Sequence, residues 1–232
     1  MTANFFSAGD LAALWISLKL AFITVACLLV LGTPLAWWLA SGRSRLRVVI
    51  EAITALPLVL PPTVLGFYLL LLLGPYGWGG RLMLWLGLSP LSFSFGGLLI
   101  GSILYSMPFV VQPLQNSFQA VGTRTLEVAA TLRAAALDRF VSVALPLARR
   151  GFVTGAVLAF AHTLGEFGVV LMIGGNIPGR TQTAAIAIFN HVEVLDYVAA
   201  QRLSLTLLAV CFILLLIVYA TNRGLRRDWV SV

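Results

Sequence analysis

Thr123-Arg-Thr-Leu-Glu-Val-Ala-Ala-Thr-Leu-Arg-Ala-Ala-Ala-Leu-Asp-Arg-Phe-Val-Ser-Val-Ala-Leu-Pro146 is a long polar stretch in a chain otherwise apolar enough to sit in lipid. It is rich in Ala and Leu, holds no Gly and no Pro before Pro146, and carries Glu127 near its start. A carboxylate in a first turn suits the positive end of a helix. Leu126, Ala130 and Ala134 recur at i, i+4 and i+8, and Leu132 follows Val128 by four, so one face is apolar. Small alanines let another backbone approach closely. The stretch predicts a pair of short helices on one face of a membrane, shaped to be gripped by a soluble partner.

Composition supplies the membrane. Of 232 residues, 60% are hydrophobic and 10% charged, with a mean hydropathy of +1.00. A soluble domain carries about 25% charged residues. Several apolar runs reach the length, about 18 residues or more, that crosses roughly 30 Å of hydrocarbon. The net charge of +7 does not describe a nucleic-acid surface, because the basic residues are confined to short connections. Arg43, Arg45 and Arg47 lie in the first. Arg124, Arg133, Arg139, Arg149 and Arg150 lie in the central one, and Arg223, Arg226 and Arg227 near the C-terminus. These hold 11 of the 15 Lys and Arg, which leaves Lys19, Arg81, Arg180 and Arg202 elsewhere. The positive-inside rule then puts the central stretch in the cytoplasm, Met1 outside and Val232 inside, with an odd number of spans. Cys27 and Cys211 both fall within spans and read as small apolar core residues, with no disulfide or metal site. The N-terminus lacks a basic n-region, so no cleaved signal peptide is expected.

The spans read as residues 11–40, 48–73, 98–118, 147–173 and 196–222. The second contains Pro57, Pro61 and Pro62, followed by Thr63; prolines remove backbone donors and break or bend the helix. Such a break is tolerated only where protein or a water-filled cavity satisfies the freed carbonyls, so this segment belongs in the interior. Between spans two and three lies an outer segment rich in Gly and aromatics, with a short interfacial helix at Arg81-Leu-Met-Leu-Trp-Leu86. Pro108 and Pro113 are expected to interrupt the third span. The fourth contains Phe160-Ala-His-Thr-Leu-Gly-Glu-Phe-Gly168. Glu166 is a carboxylate deep in an apolar run, either functional or hydrogen-bonded to a neighbouring span. It lies about 24 Å along a helix from Arg150, nearer the outer end. Gly155, Gly165 and Gly168 permit close packing. Asn176, Pro178, Gly179 and Arg180 belong to an outer turn, after which Thr181 or Thr183 can cap the segment 184–189. That segment is too short to span; it is re-entrant or merges with the last helix.

No catalytic constellation is visible. His162, one turn from Glu166, can pair with it at i, i+4 or simply pack. The only lysine is Lys19, so there is no P-loop and the chain cannot bind ATP in that way. Any energy must come from a partner at the cytoplasmic face.

The central stretch resembles the cytoplasmic loop shared by membrane subunits of ABC importers: Glu-Ala-Ala, three residues, Gly, nine residues, Ile, one residue, Leu-Pro. Here Glu127, Ala129, Leu145 and Pro146 match, while Val128 replaces an Ala and Arg133 replaces the turn Gly. Gly accepts φ > 0 where Arg is strained, which makes Leu137-Asp138 the alternative place for the turn. Leu56 to Gly66 resembles the proline-rich second core helix of sulfate and molybdate permeases, and Thr163 to Gly168 their fourth-span signature. Gly175 to Thr183 is most similar to the molybdate branch. His162 departs from the basic Arg common just before that signature.

The resemblance implies an all-α polytopic membrane protein, a type I ABC importer permease with a MetI-like core. It forms one domain over residues 1–232, with a core at 10–225, a coupling loop at 119–146 and five spans. It implies molybdate or tungstate as cargo, with a sulfate or thiosulfate permease as the alternative. The implied partners are a second copy, two cytoplasmic ATPase subunits, a periplasmic or extracellular oxyanion-binding protein and the lipid bilayer. ATP and Mg would sit on the ATPase, with no cofactor on this chain, and the location is the bacterial inner membrane. Coupling is assigned to Glu127, Ala129, Ala130, Leu132, Arg133, Ala134, Asp138 and Phe140. The pathway or gate is assigned to Pro57, Pro61, Pro62, Thr63, Thr163, Gly165, Glu166 and Gly168. Thr63, Thr163 and Arg180 would offer weak anion contacts, and Glu166 packing or gate closure. An intramembrane enzyme would have to rest on His162 and Glu166, and a secondary transporter would need inverted repeats that are not apparent.

Overall fold

The computed structural model describes residues 5–42 and 44–227, with side chains through residue 220. Met1, Arg43, Val232 and the side chains of Arg223, Arg226 and Arg227 lie outside the described residues, so the terminal part of the topology reading does too. Helix α1 is Ala8–Ser41, α2 Leu46–Ala55, α3 Pro62–Leu73, α4 Trp78–Trp85 and α5 Phe95–Val121. Then come α6 Thr123–Thr131, α7 Ala136–Leu147 and α8 Arg149–Gly165. The chain finishes with α9 Gly168–Gly174, α10 Ala184–Glu193 and α11 Tyr197–Arg227. There is no strand among the described residues. Among the described residues, four helical stretches are long and apolar enough to cross a membrane, and α7 with α8, bent by 67°, brings the number to as many as five.

The first helix starts on a capping box: the Asp10 amide donates to Ser7 Oγ and the Ser7 amide to the Asp10 carboxylate, both at 3.1 Å. α1 and α8 both pack on α5. In lipid there is little hydrophobic drive between helices, so close contact has to come from small residues. Gly151 and Gly155 supply it: a Cβ on Gly151 would lie 2.3 Å from Ser117 Oγ, and one on Gly155 3.2 Å from Val110 Cα. Here the expectation of an interrupted third span fails. Pro108 and Pro113 are both internal to a continuous 27-residue α5, braced by that glycine face of α8.

Two other spans are broken. After α2 the chain makes a 3-10 turn over Leu56–Leu58, and α3 begins at Pro62, where the missing N–H costs nothing. The fourth span, expected as one helix, is instead divided at Glu166 and Phe167, whose backbones leave the helical region. The two breaks meet. A Cβ on Gly168 would lie 2.9 Å from that of Pro62, and one on Gly66 2.8 Å from that of Met172. Gly165, by contrast, has nothing within 4 Å and takes no part in close packing.

Neither Thr181 nor Thr183 caps α10 through its side chain. Thr181 Oγ1 donates to the Gly174 carbonyl at 2.7 Å, and the buried Thr183 hydroxyl has no partner among the described residues. The cap comes from α1, where Ser17 Oγ accepts the Ala184 amide at 2.8 Å. α10 then climbs to His191, which meets Asp10 at 2.8 Å. Ser17 and Asp10 are about 10 Å apart along α1, so α10 runs back beside α1 toward its N-terminal end. It does not merge with α11: Leu195, with φ 62°, turns the chain between them.

The turn between α6 and α7 stays at Arg133, with φ 62°, and Leu137 and Asp138 are helical. The Ala134 amide closes it on the Ala129 carbonyl at 3.2 Å. A left-handed arginine costs about 1–2 kcal/mol relative to glycine. Arg133→Gly is therefore expected to raise the thermal midpoint of the purified protein slightly. An unchanged or lower midpoint would show that the arginine side chain compensates its own strain.

Candidate functional site

The polar centre of the molecule is the break at Glu166. Its carboxylate, with the residue 4% exposed, accepts hydrogen bonds from Ser102 Oγ and, at 2.7 Å, from Ser106 Oγ. Ser106 has one proton and spends it on Glu166. The Thr163 hydroxyl and His162 Nδ1, each 2.9 Å from Ser106 Oγ, must then be donors, which puts a proton on Nδ1. His162 Nδ1 also lies 3.6 Å from Glu166 Oε1, the i, i+4 pair anticipated from the sequence. The imidazole stacks on Phe109 with centroids 4.1 Å apart and packs on Tyr105 at 4.8 Å. The Ser102, Ser106 and Thr163 hydroxyls and both Glu166 oxygens are paired, as the low dielectric demands.

Beside the cluster lies a cavity of about 520 Å3, lined by Pro62, Thr63, Tyr105, Ala161, His162, Gly165, Glu166, Phe167 and Gly168. Both helix breaks therefore face one space. Of the residues assigned to the pathway, Pro62, Thr63, Gly165, Glu166 and Gly168 come together here. Pro57 and Pro61 shape the break without lining the cavity. Thr163 departs from its assignment as an anion contact: it is buried and bonded to Ser106. The sequence reading missed Ser102, Ser106 and Tyr105. Its signal was the Ser102/Ser106 pair at i, i+4, which puts two hydroxyls on one face of an otherwise apolar helix.

A second site occupies the opposite, basic end. Glu127, Leu132, Arg133 and Asp138 are exposed, as is Ala130, while Ala129 and Ala134 are half-buried. Glu127 sits in the second turn of α6 rather than the first, because the helix already begins at Thr123. Val128 is 57% exposed, Leu132 78% and Leu137 73%, three large apolar side chains left uncovered on this loop. Phe140, assigned to coupling, is half-buried. It turns inward, with its ring 5.1 Å from Trp37 and 6.0 Å from Phe118, and with Leu126 fastens the loop to the core. Gln115 Nε2 donates to Glu51 at 2.9 Å and ties α5 to α2 nearby.

The outer turn is remote from both. Asn176 is linked to Asn190 and Gln182 by side-chain amide bonds of 2.9 to 3.1 Å, Gly179 takes φ 71°, and Pro178 and Arg180 are exposed. Arg180 does not line the cavity. Among the described residues no group of three or more His, Cys, Asp or Glu is placed to hold a metal.

Residues 32–227 match the family model described as "Binding-protein-dependent transport system inner membrane component". The chain is 57% identical over 217 residues to the molybdenum transport system permease protein ModB of Azotobacter vinelandii, covering 94% of this chain and 96% of that one. It is 33% identical to the sulfate transport system permease protein CysT of a Synechocystis strain, covering 85% of this chain and 69% of that one. Its fold resembles a chain in the crystal structure of a bacterial ABC transporter that imports alginate. There the TM-score is 0.77 at 15% identity, over 95% of this chain and 81% of that one.

Proposed function

The chain belongs to the family of binding-protein-dependent transport system inner membrane components, and on that premise we propose that it forms the molybdate pathway of an ATP-driven importer. It is a membrane permease subunit and not itself an enzyme. The single observation behind the substrate is the likeness to the Azotobacter molybdenum permease along nearly the whole chain; the sulfate relative is more distant. Tungstate shares the tetrahedral dianion chemistry and travels by the same route.

The geometry fits the mechanics. α6 and α7 present an exposed strip at the basic end, anchored through Phe140 and Leu126 to α1 and α5. α7 runs through the 67° bend into α8, and α8 ends at the Glu166 break beside the cavity. Force applied by an ATPase at Glu127 to Asp138 thus reaches the helix that carries the polar cluster. ATP and Mg stay on that partner. A receptor for the oxyanion delivers it at the outer end, and a second copy of the chain closes the side on which Thr63 and Gly165 are exposed. The basic end faces the cytoplasm of a bacterial inner membrane, and the N-terminus faces outward.

The test is uptake by liposomes holding this chain with its gene-neighbour ATPase and oxyanion receptor. ATP-dependent accumulation of molybdate in preference to sulfate is expected; preference for sulfate would replace the substrate reading. In the same system Glu166→Gln keeps its shape and both serine partners, so it is expected to fold. It replaces one acceptor oxygen of the cluster by an NH2 donor, and the ratio of uptake to ATP hydrolysed should change. A ratio equal to wild type would remove Glu166 from the gate.

A further inference from the structure

Glu166 lines the cavity between the helix breaks, yet its oxygens are engaged by neighbouring side chains. Both carboxylate oxygens of Glu166 are taken up by serine hydroxyls, and the residue is buried. Thr63 and Tyr105 also line the space, and neither hydroxyl has a hydrogen-bond partner among the described residues. The Tyr105 ring is held in place by His162, itself stacked on Phe109 and tied to Ser106. A volume of about 520 Å3 accepts a tetrahedral dianion with part of its water, given roughly 30 Å3 per water molecule.

We propose that Thr63 and Tyr105 form a transient hydrogen-bonding subsite for a tetrahedral oxyanion in transit. This rests on the importer reading above. Two neutral donors suit the task. A hydrogen bond to a charged acceptor is stronger than a neutral one, yet a site without a fixed cation releases its ion. Conduction requires both entry and escape. Thr63 belongs to the broken α3 and Tyr105 to the continuous α5, so rocking α3 against α5 would separate them and free the ion.

The experiment compares Tyr105→Phe, Thr63→Val and Thr63→Ser in liposomes with the ATPase and receptor, reading molybdate accumulated per ATP hydrolysed. Tyr105→Phe and Thr63→Val should each lower this ratio about tenfold, the size of one hydrogen bond to a charged group. Thr63→Ser, which keeps the hydroxyl, should retain it. Wild-type ratios in Tyr105→Phe and Thr63→Val overturn the subsite, as does an equal loss in Thr63→Val and Thr63→Ser. If Tyr105→Phe does not assemble, the Thr63 pair decides alone. Absence of accumulation by the wild-type complex overturns the importer reading itself, and the subsite with it.

Discussion

Gly66→Val is expected to destabilise the permease by about 3 kcal/mol, the upper end of the cost of overpacking a closely packed core. A Cβ at this position alone would lie 2.8 Å from Met172 Cβ, 3.1 Å from Val169 Cα and 3.2 Å from the Val169 carbonyl oxygen. Two of those three atoms are backbone, so no side-chain rotation relieves the clash. α3 and α9 would have to separate, and the cavity between the helix breaks would open with them. Gly165→Ala is the matched comparison, since no atom lies within 4 Å of a Cβ there. Its stability should stay within about 1 kcal/mol of wild type. Thermal unfolding in detergent, followed by loss of monodisperse protein, measures both. Equal midpoints for Gly66→Val and wild type would mean that α3 and α9 are not packed as described.

Val128→Pro carries the largest expected functional effect. α6 spans Thr123–Thr131, so position 128 is interior. Proline there deletes the hydrogen bond to the Arg124 carbonyl and clashes with it, at about 3 kcal/mol. α6 is exposed except at the half-buried Leu126 and Ala129, so the spans and their cores should remain intact. The rigid piece through which the ATPase acts would nevertheless be lost. Uptake by the reconstituted complex should fall by on the order of a hundredfold, the factor that about 3 kcal/mol represents. The thermal midpoint of the isolated chain should barely move. Retained uptake would show that force does not pass through α6.

Much of this was legible in the chain. The proline cluster at Pro57 to Pro62 announced a broken span because proline lacks a donor wherever it sits. Glu166 announced a polar site because an unpaired carboxylate cannot stay in hydrocarbon. The spacing of Glu127, Leu145 and Pro146 marked the helix pair before any coordinates. The prolines of α5 misled, because whether a proline breaks a helix depends on what packs beside it. Arg133 misled in a similar way: the left-handed turn is needed by the backbone on both sides and is kept despite its side chain. Thr181 and Thr183 looked like caps, yet the cap of α10 comes from Ser17, far away in sequence.

Composition, apolar run length and the placement of arginines determined by themselves that this is a polytopic helical membrane protein with one long polar loop, because bilayer thickness and backbone hydrogen bonding admit few other arrangements. Tertiary structure decided which polar groups meet. Ser102 and Ser106 reach Glu166 from 64 and 60 residues away in sequence, Phe140 turns inward to Trp37, and Gly168 rests on Pro62. These pairings depend on helix rotation and depth. Those are set by the sum of small-residue contacts between helices, a quantity that no single stretch of sequence contains.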